Sequence, residues 1–238
     1  MQPFLALVDY YNQVPLPGHR DATFEEHRAG LEAVTAKLAA AVRAISGPAE
    51  LRVRLYGGWF IGGQDEESAD RGVVGTLARR DYPTRIEGSR VFVELADAML
   101  TGDGQAMGYT VREQPGMSPF KMRWPLRACS LTQGNCSLHD LDCWRKGRCP
   151  RHKECGLAVS DVTFSRRQKL VDSMIVADTI EASLSEGWVA AVSNDDDIVP
   201  GVLTAAGHSR KVALFRFGRL RPSPYDGILA AKQLLPLE

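Results

Sequence analysis

No stretch of this 238-residue chain approaches the roughly eighteen consecutive apolar residues of a membrane-spanning helix. Net charge is missing too: 29 Lys and Arg balance 29 Asp and Glu. A nucleic-acid partner therefore has to be held by a local basic patch, not by the field of the whole molecule. The opening "MQPFLALVDYYN" has no basic n-region and meets an aspartate too early for a secretory signal. The expected location is the cytoplasm, where the five cysteines are reduced thiols or metal ligands and not disulfides.

Missing motifs exclude several chemistries. "YGGWFIGGQ" (56–64) carries four glycines without the GxxxxGK[ST] pattern, so it is no phosphate-binding P-loop. It is expected to be a mobile or a tightly turning loop, with Trp59 as a candidate to line the crevice. No GxSxG nucleophile elbow occurs, and "DYYN" does not supply the Asp-x-Asp that a haloacid-dehalogenase-type phosphatase places at its first strand. His208 reads as a helix-end residue. Internal repeats and low-complexity tracts are absent.

The chain does have material for a core. Hydrophobic residues make up 44% and charged residues 24%, ordinary for a globular protein whose length suits one α/β domain with an insertion, or two small domains. "PFLALVD" (3–9) is an apolar run ending at Asp9, as expected for a strand covered on both faces. Thr23 and Glu26 form a capping box before a helix whose apolar face is Leu31, Val34, Leu38, Val42 and Ile45. "ELRVRLYGG" (50–58) follows as a second strand, giving a β-α-β opening. "ESADRGVVGTLARR" is expected to be a short helix, "SRVFVELAD" (89–97) a strand, and "DGQAMGYTVREQPG" a turn-rich excursion. After the cysteines, Ser165 with Gln168 predicts a helix start, and that helix ends at Gly187. Strand 188–194, helix "DIVPGVLTAAGHS", strand 210–217 and a terminal helix complete the chain. The expected fold class is α/β with a mainly parallel sheet. It forms a single domain over 1–238 (the sheet drawn from 1–112 and 165–238) with a Cys-rich insertion at about 121–164.

Acids gather at one edge of this scheme. Asp9 ends the first strand, and Asp195, Asp196 and Asp197 follow the strand 188–194. Asp172 lies in the second turn of the helix expected from Ser165, which starts at the same edge. In an open parallel sheet that edge, outside the carboxyl ends of the strands, is where ligands bind. Carboxylates converging there cannot all stay ionised without a countercharge. Hard divalent cations, Mg²⁺ or Mn²⁺, answer that need. Two ions, or one with a placed water, suit hydrolysis of a phosphodiester. Aspartate also caps helices, and Asp196 or Asp197 could do so. Capping explains at most two of Asp9, Asp172, Asp195 and Asp197. Asp178 lies six residues beyond Asp172, about 240° around the helix, so an outer or structural role is as well supported there.

The cysteines at 129, 136, 143, 149 and 155 enclose His139 and His152, seven candidate ligands within twenty-seven residues, though with no CxxC. Zinc takes four such ligands. Cys129, Cys136, Cys143 and Cys149 form the preferred set for structural Zn²⁺, with Cys155, His139 and His152 as substitutes; the other reading is a loop of reduced thiols. So apolar-poor a segment needs a staple to fold. From Lys121 to Lys169 there are eleven Lys or Arg against four Asp or Glu. Trp144, Arg145, Lys146, Arg148, Arg151 and Lys153 combine cations with an aromatic, as a nucleic-acid contact requires. "RKVALFRFGRLR" adds a second basic cluster. A solvated charged face, or a surface for a protein partner, is the competing use of the insertion.

"LALVDYYN", "QKLVDSMIVADTIEAS" and "WVAAVSNDDDIVPGV", in that order, resemble the NYN domain, a branch of the PIN-like nucleases. The matching residues are Asp9 and Asn12; Lys169, Val171, Asp172 and Asp178; and Ser193, Asp195, Asp197, Ile198 and Pro200. Ile198 stands where the family has an aromatic, and the Cys-rich segment is no part of the common domain. The resemblance implies a three-layer α/β/α PIN-like fold and a metal-dependent ribonuclease centre, with RNA more expected than DNA. Asp9, Asp172, Asp195 and Asp197 would bind metal. Asn12 and Ser193 would be supporting residues that orient a carboxylate, a water or the phosphate. Some relatives are binding modules, so a non-catalytic nucleic-acid or protein-binding role is the alternative.

Overall fold

The computed structural model describes residues 1–14, 16, 22–61, 66–100, 107–108, 110–115, 140–141, 143–144, 147, 164–168, 170–185, 187–218 and 222–234. The chain divides into two compact units, residues 1–110 with 168–238, and residues 111–167. In chain order, β1 (Gln2–Asp9) is followed by the one-turn helix α1 (Tyr10–Gln13), α2 (Phe24–Ser46) and β2 (Ala49–Tyr56). Next come α3 (Ala69–Asp81), β3 (Thr84–Ile86), β4 (Ser89–Leu95), β5 (Val111–Pro115) and β6 (Phe164–Gln168). The chain continues through α4 (Val171–Ala182), β7 (Trp188–Val192), a 3₁₀ turn (Asp196–Ile198), α5 (Val199–His208), β8 (Val212–Phe215) and α6 (Asp226–Ala231).

Six strands form one sheet in the order β3-β4-β2-β1-β7-β8. Every pairing is parallel except β3 with β4. β1 lies between β2 and β7, in register from Gln2 with Ala49 to Asp9 with Tyr56 on one side and up to Val8 with Val192 on the other. Its apolar run is explained by cover on both faces. Phe4, Ala6 and Val8 pack with Leu31, Val34, Leu38 and Val42 of α2. Leu7, on the opposite side of the pleat, packs with Met174 and Ile175 of α4 and with Val199 and Val202 of α5. The result is an α/β fold with helices on both sides of a mainly parallel sheet. Among the described residues, no helix is long and apolar enough to cross a membrane.

α2 starts at the expected capping box. The Thr23 Oγ1 accepts from the Glu26 N–H at 3.3 Å, and the Glu26 carboxylate accepts from the Thr23 N–H at 2.8 Å. Four residues of its predicted face are buried, whereas Ile45 is 37% exposed. At 23 residues the helix runs about 34 Å, longer than an eight-residue strand of about 26 Å, and Ile45 lies in its last turn.

The second helix start falls elsewhere than predicted. Ser165 and Gln168 belong to strand β6, which pairs with β5 in a two-stranded sheet, and the turn-rich excursion expected around β5 contains that partner. Strand pairing overrides the local capping pattern. α4 begins instead at Val171, after Leu170 in the left-handed region (φ 69°), an uncommon conformation for a branched residue. Asp172 consequently lies in the first helical turn rather than the second. α5 closes on α4 at Gly201, where an added Cβ would stand 2.8 Å from the Val176 Cγ1. Glycine allows this approach, and with it the loop carrying Asp195 to Asp197 comes to the start of α4.

Candidate metal centre

Asp9 is the last residue of β1, and Ser193 follows β7, the neighbouring parallel strand. Parallel register puts both at the same sheet edge. The Ser193 Oγ donates to the Asp9 Oδ2 at 3.1 Å and accepts the Asp195 N–H at 3.1 Å. One buried hydroxyl thus ties the first strand to the aspartate loop. Asn12, one turn beyond Asp9, holds that loop from the other side. Its Oδ1 accepts the Asn194 N–H and the Gln13 Nε2, each at 2.7 Å.

The three consecutive aspartates separate by function. Asp195 caps the 3₁₀ turn, its Oδ1 accepting the Asp197 N–H at 3.2 Å. Asp196 faces elsewhere: its Oδ1 accepts from the Arg216 Nη1 and the Ser223 Oγ, both at 2.8 Å. Of the second basic cluster, the Arg216 guanidinium is therefore spent inside the fold. Asp172, Asp195 and Asp197 remain together, and one ligand oxygen from each can lie within 4.8 Å of the other two.

A cavity of about 300 Å³ opens at this edge, lined by Asp9, Tyr11, Asn12, Val171, Asp172 and Asp195. Asp172 and Asp195 belong to both groupings; Asp197 belongs to the close triad and Asp9 to the cavity wall. The electrostatics follow from this crowding. Asp9, only 5% exposed, has its carboxyl pushed up to about 6, first by burial and then by the charges of Asp172 and Asp195, against the pull of the Ser193 hydrogen bond and the Asn12 backbone. Asp172, half-buried, is also raised, by burial and by Asp195 and Asp197. The neighbouring carboxylates make Asp9 and Asp172 harder to ionise, which is the condition a bound cation relieves.

Asp178 is fully buried and does not line this cavity. Its Oδ2 accepts from the Tyr56 hydroxyl at 2.5 Å and its Oδ1 from the Leu100 N–H at 2.8 Å, with the Arg54 Nε 3.9 Å away. It joins α4 to β2 and to the chain after β4, a structural task in keeping with its 240° offset from Asp172. Trp59 departs further from its expected place. It does not line the crevice but is buried, its Nε1 donating to the Leu55 carbonyl at 3.0 Å and its ring against Tyr10 and Tyr11. Gly57 permits this, since a Cβ there would meet the indole at 2.8 Å.

Three participants went unread in the sequence: Tyr11, Gln13 and Asn194. Each neighbours a residue that was singled out, and no spacing rule separates it from filler. Of the insertion, Cys143 is a free thiol and Trp144 is half-buried. Cys129, Cys136, Cys149, Cys155, His139, His152, Arg145, Lys146, Arg148, Arg151 and Lys153, together with Lys169, lie outside the described residues.

The Asp9 environment predicts a pH signature in chelated protein. A carboxyl titrating near 6 when folded and near 3.8 when unfolded binds its proton more tightly in the native state. Its stabilising contribution is complete below the unfolded value and is lost as pH rises through about 6. In EDTA at pH 7.5, Asp9→Asn is expected to raise stability, by at most about 3 kcal/mol, with the gain vanishing near pH 4. Urea unfolding at the two pH values measures it; a destabilised variant at pH 7.5 contradicts the buried, uncompensated charge.

Comparisons with family models, with curated proteins and with solved structures find no match to this chain.

Proposed function

We propose that this chain is an NYN-type, PIN-like endonuclease that hydrolyses RNA phosphodiesters with Mg²⁺ or Mn²⁺. The observation that carries the reading is the approach of Asp172, Asp195 and Asp197 within 4.8 Å beside the buried Asp9. The donor set fits a hard cation, because all four groups offer carboxylate oxygens and, among the described residues, no thiolate or imidazole joins them. Asp172, Asp195 and Asp197 would hold the ion, with Asp9 completing the anionic wall. When bound, the ion supplies positive charge at the scissile phosphate and makes an attacking water more acidic.

The chain's own groups set the geometry. Ser193 keeps the Asp9 carboxylate and the Asp195 backbone in one arrangement. Both lone pairs of the Asn12 Oδ1 are occupied by donors, so its amide N–H groups are what it can offer a phosphate oxygen. In the same reading, the insertion binds structural Zn²⁺ through Cys129, Cys136, Cys143 and Cys149, with Cys155, His139 or His152 as substitutes. Trp144 and its basic neighbours would grip RNA, and the protein works in the cytoplasm.

Incubating the purified protein with a mixed RNA pool, and with DNA in parallel, tests the proposal. Cleavage is expected with Mg²⁺ or Mn²⁺, stronger on RNA, and abolished by EDTA. Cleavage that persists in EDTA overturns the metal-dependent centre, and no cleavage with either ion leaves the acidic crevice as the scaffold of a non-catalytic binding module.

A further inference from the structure

Among the described residues, Tyr11 is the one aromatic side chain in the wall of the acidic cavity. It stands between Asp9 and Asn12 on a single turn of helix, 36% exposed, where its neighbour Tyr10 is fully buried. Its hydroxyl donates to the Asp70 Oδ2 at 2.6 Å, from the first turn of α3. Asp70 in turn faces the His27 Nε2 at 3.3 Å, and the His27 Nδ1 pairs with the Tyr10 hydroxyl at 2.6 Å. Tyr10 meets the Tyr11 ring edge-on at 5.3 Å, and Trp59 leans on it at 6.2 Å. The ring is tethered at its tip and braced from behind, while part of it faces the cavity.

Burial and the Asp70 carboxylate both hold the Tyr11 hydroxyl in its protonated form. Its proton is committed to Asp70, so proton transfer is not what the residue offers the cavity. What it offers is a fixed aromatic face next to groups suited to a phosphate and its counterion. Resting on the nuclease reading for the identity of the polymer, we propose that Tyr11 stacks an unpaired nucleobase adjacent to the scissile phosphate, and that Asp70 positions the ring for it. A volume of about 300 Å³ sits at the lower end of small-ligand cavities, room for a single splayed nucleotide. The preferred substrate is then single-stranded, with an ordinary base required at that position and its identity of little consequence, since every base has a π face.

Fluorescence anisotropy with a labelled single-stranded RNA heptamer and its abasic counterpart, in Ca²⁺ with the full chain, separates stacking from backbone contact. Wild type is expected to bind the intact strand ~10-fold more tightly, and Tyr11→Ala to bind both strands equally, at the wild-type abasic level. Tyr11→Phe and Asp70→Ala keep a ring without its tether and are expected to retain a reduced preference of about two- to threefold for the intact strand. Their unchanged affinity for the abasic strand separates positioning from general damage, and thermal melts of all variants report the fold. Base preference undiminished in Tyr11→Ala, absent in wild type, or no binding of either strand overturns the proposal. Mn²⁺ cleavage assays on the same samples report separately on the nuclease reading: base-dependent binding without cleavage removes that reading and leaves Tyr11 as a stacking residue.

Discussion

Asp195→Asn is expected to reduce Mg²⁺- or Mn²⁺-dependent cleavage at least ~10³-fold while leaving the fold unchanged. The amide keeps an oxygen that can accept the Asp197 N–H, now bonded at 3.2 Å, so the 3₁₀ turn survives. What disappears is one negative charge from a triad whose oxygens lie within 4.8 Å, and with it the hold on the cation. Losing several kcal/mol of transition-state charge stabilisation corresponds to a loss of this size. Adjacent Asp196 is the internal control. Its carboxylate is committed to Arg216 and Ser223, so Asp196→Asn is expected to cleave within a few-fold of wild type while melting at a lower temperature. Initial rates and melting temperatures of the two variants suffice. Equal rates for Asp195→Asn and wild type remove the assignment.

Asp178→Ala is expected to destabilise by about 3–5 kcal/mol. The substitution strands the buried Tyr56 hydroxyl, removes the acceptor of the part-buried Leu100 N–H, and takes away the carboxylate 3.9 Å from the Arg54 Nε, leaving Glu94, at 2.6 Å, to pair the guanidinium. The Tyr56 hydroxyl stays protonated, since burial and then the Asp178 charge push its ionisation upward, so it is a donor across the working pH range. Urea unfolding is the measurement, and a loss below about 1 kcal/mol would show that the cluster relaxes without cost. Below the unfolding transition, Mn²⁺ affinity is expected to match wild type, which distinguishes this aspartate from Asp172, six residues earlier on the same helix.

The central strands were legible because they are buried on both faces, which writes them as unbroken apolar runs: "FLALV" and "WVAAV" could scarcely be anything exposed. α2 was legible from Thr23 and Glu26 because a capping box is a local device, complete within four residues. The placement of Asp9, Asp172 and Asp195 followed from topology alone, since parallel strands bring their carboxyl ends to one edge. What escaped depends on partners far along the chain. Ser165 and Gln168 satisfy a helix-start rule locally but lie in a strand whose partner begins at Val111. Nothing near Asp196 announces Arg216 or Ser223, twenty and twenty-seven residues on. Trp59 looked like a loop aromatic because the space left by Gly57 is visible only once the chain has turned.

The most direct test is an anomalous difference map from a crystal of the protein soaked in Mn²⁺. A peak bounded by the carboxylates of Asp172, Asp195 and Asp197, with Asp9 facing it, is the predicted result. Ordered density for all four side chains, with Mn²⁺ bound elsewhere or nowhere at a concentration that supports cleavage, would contradict it.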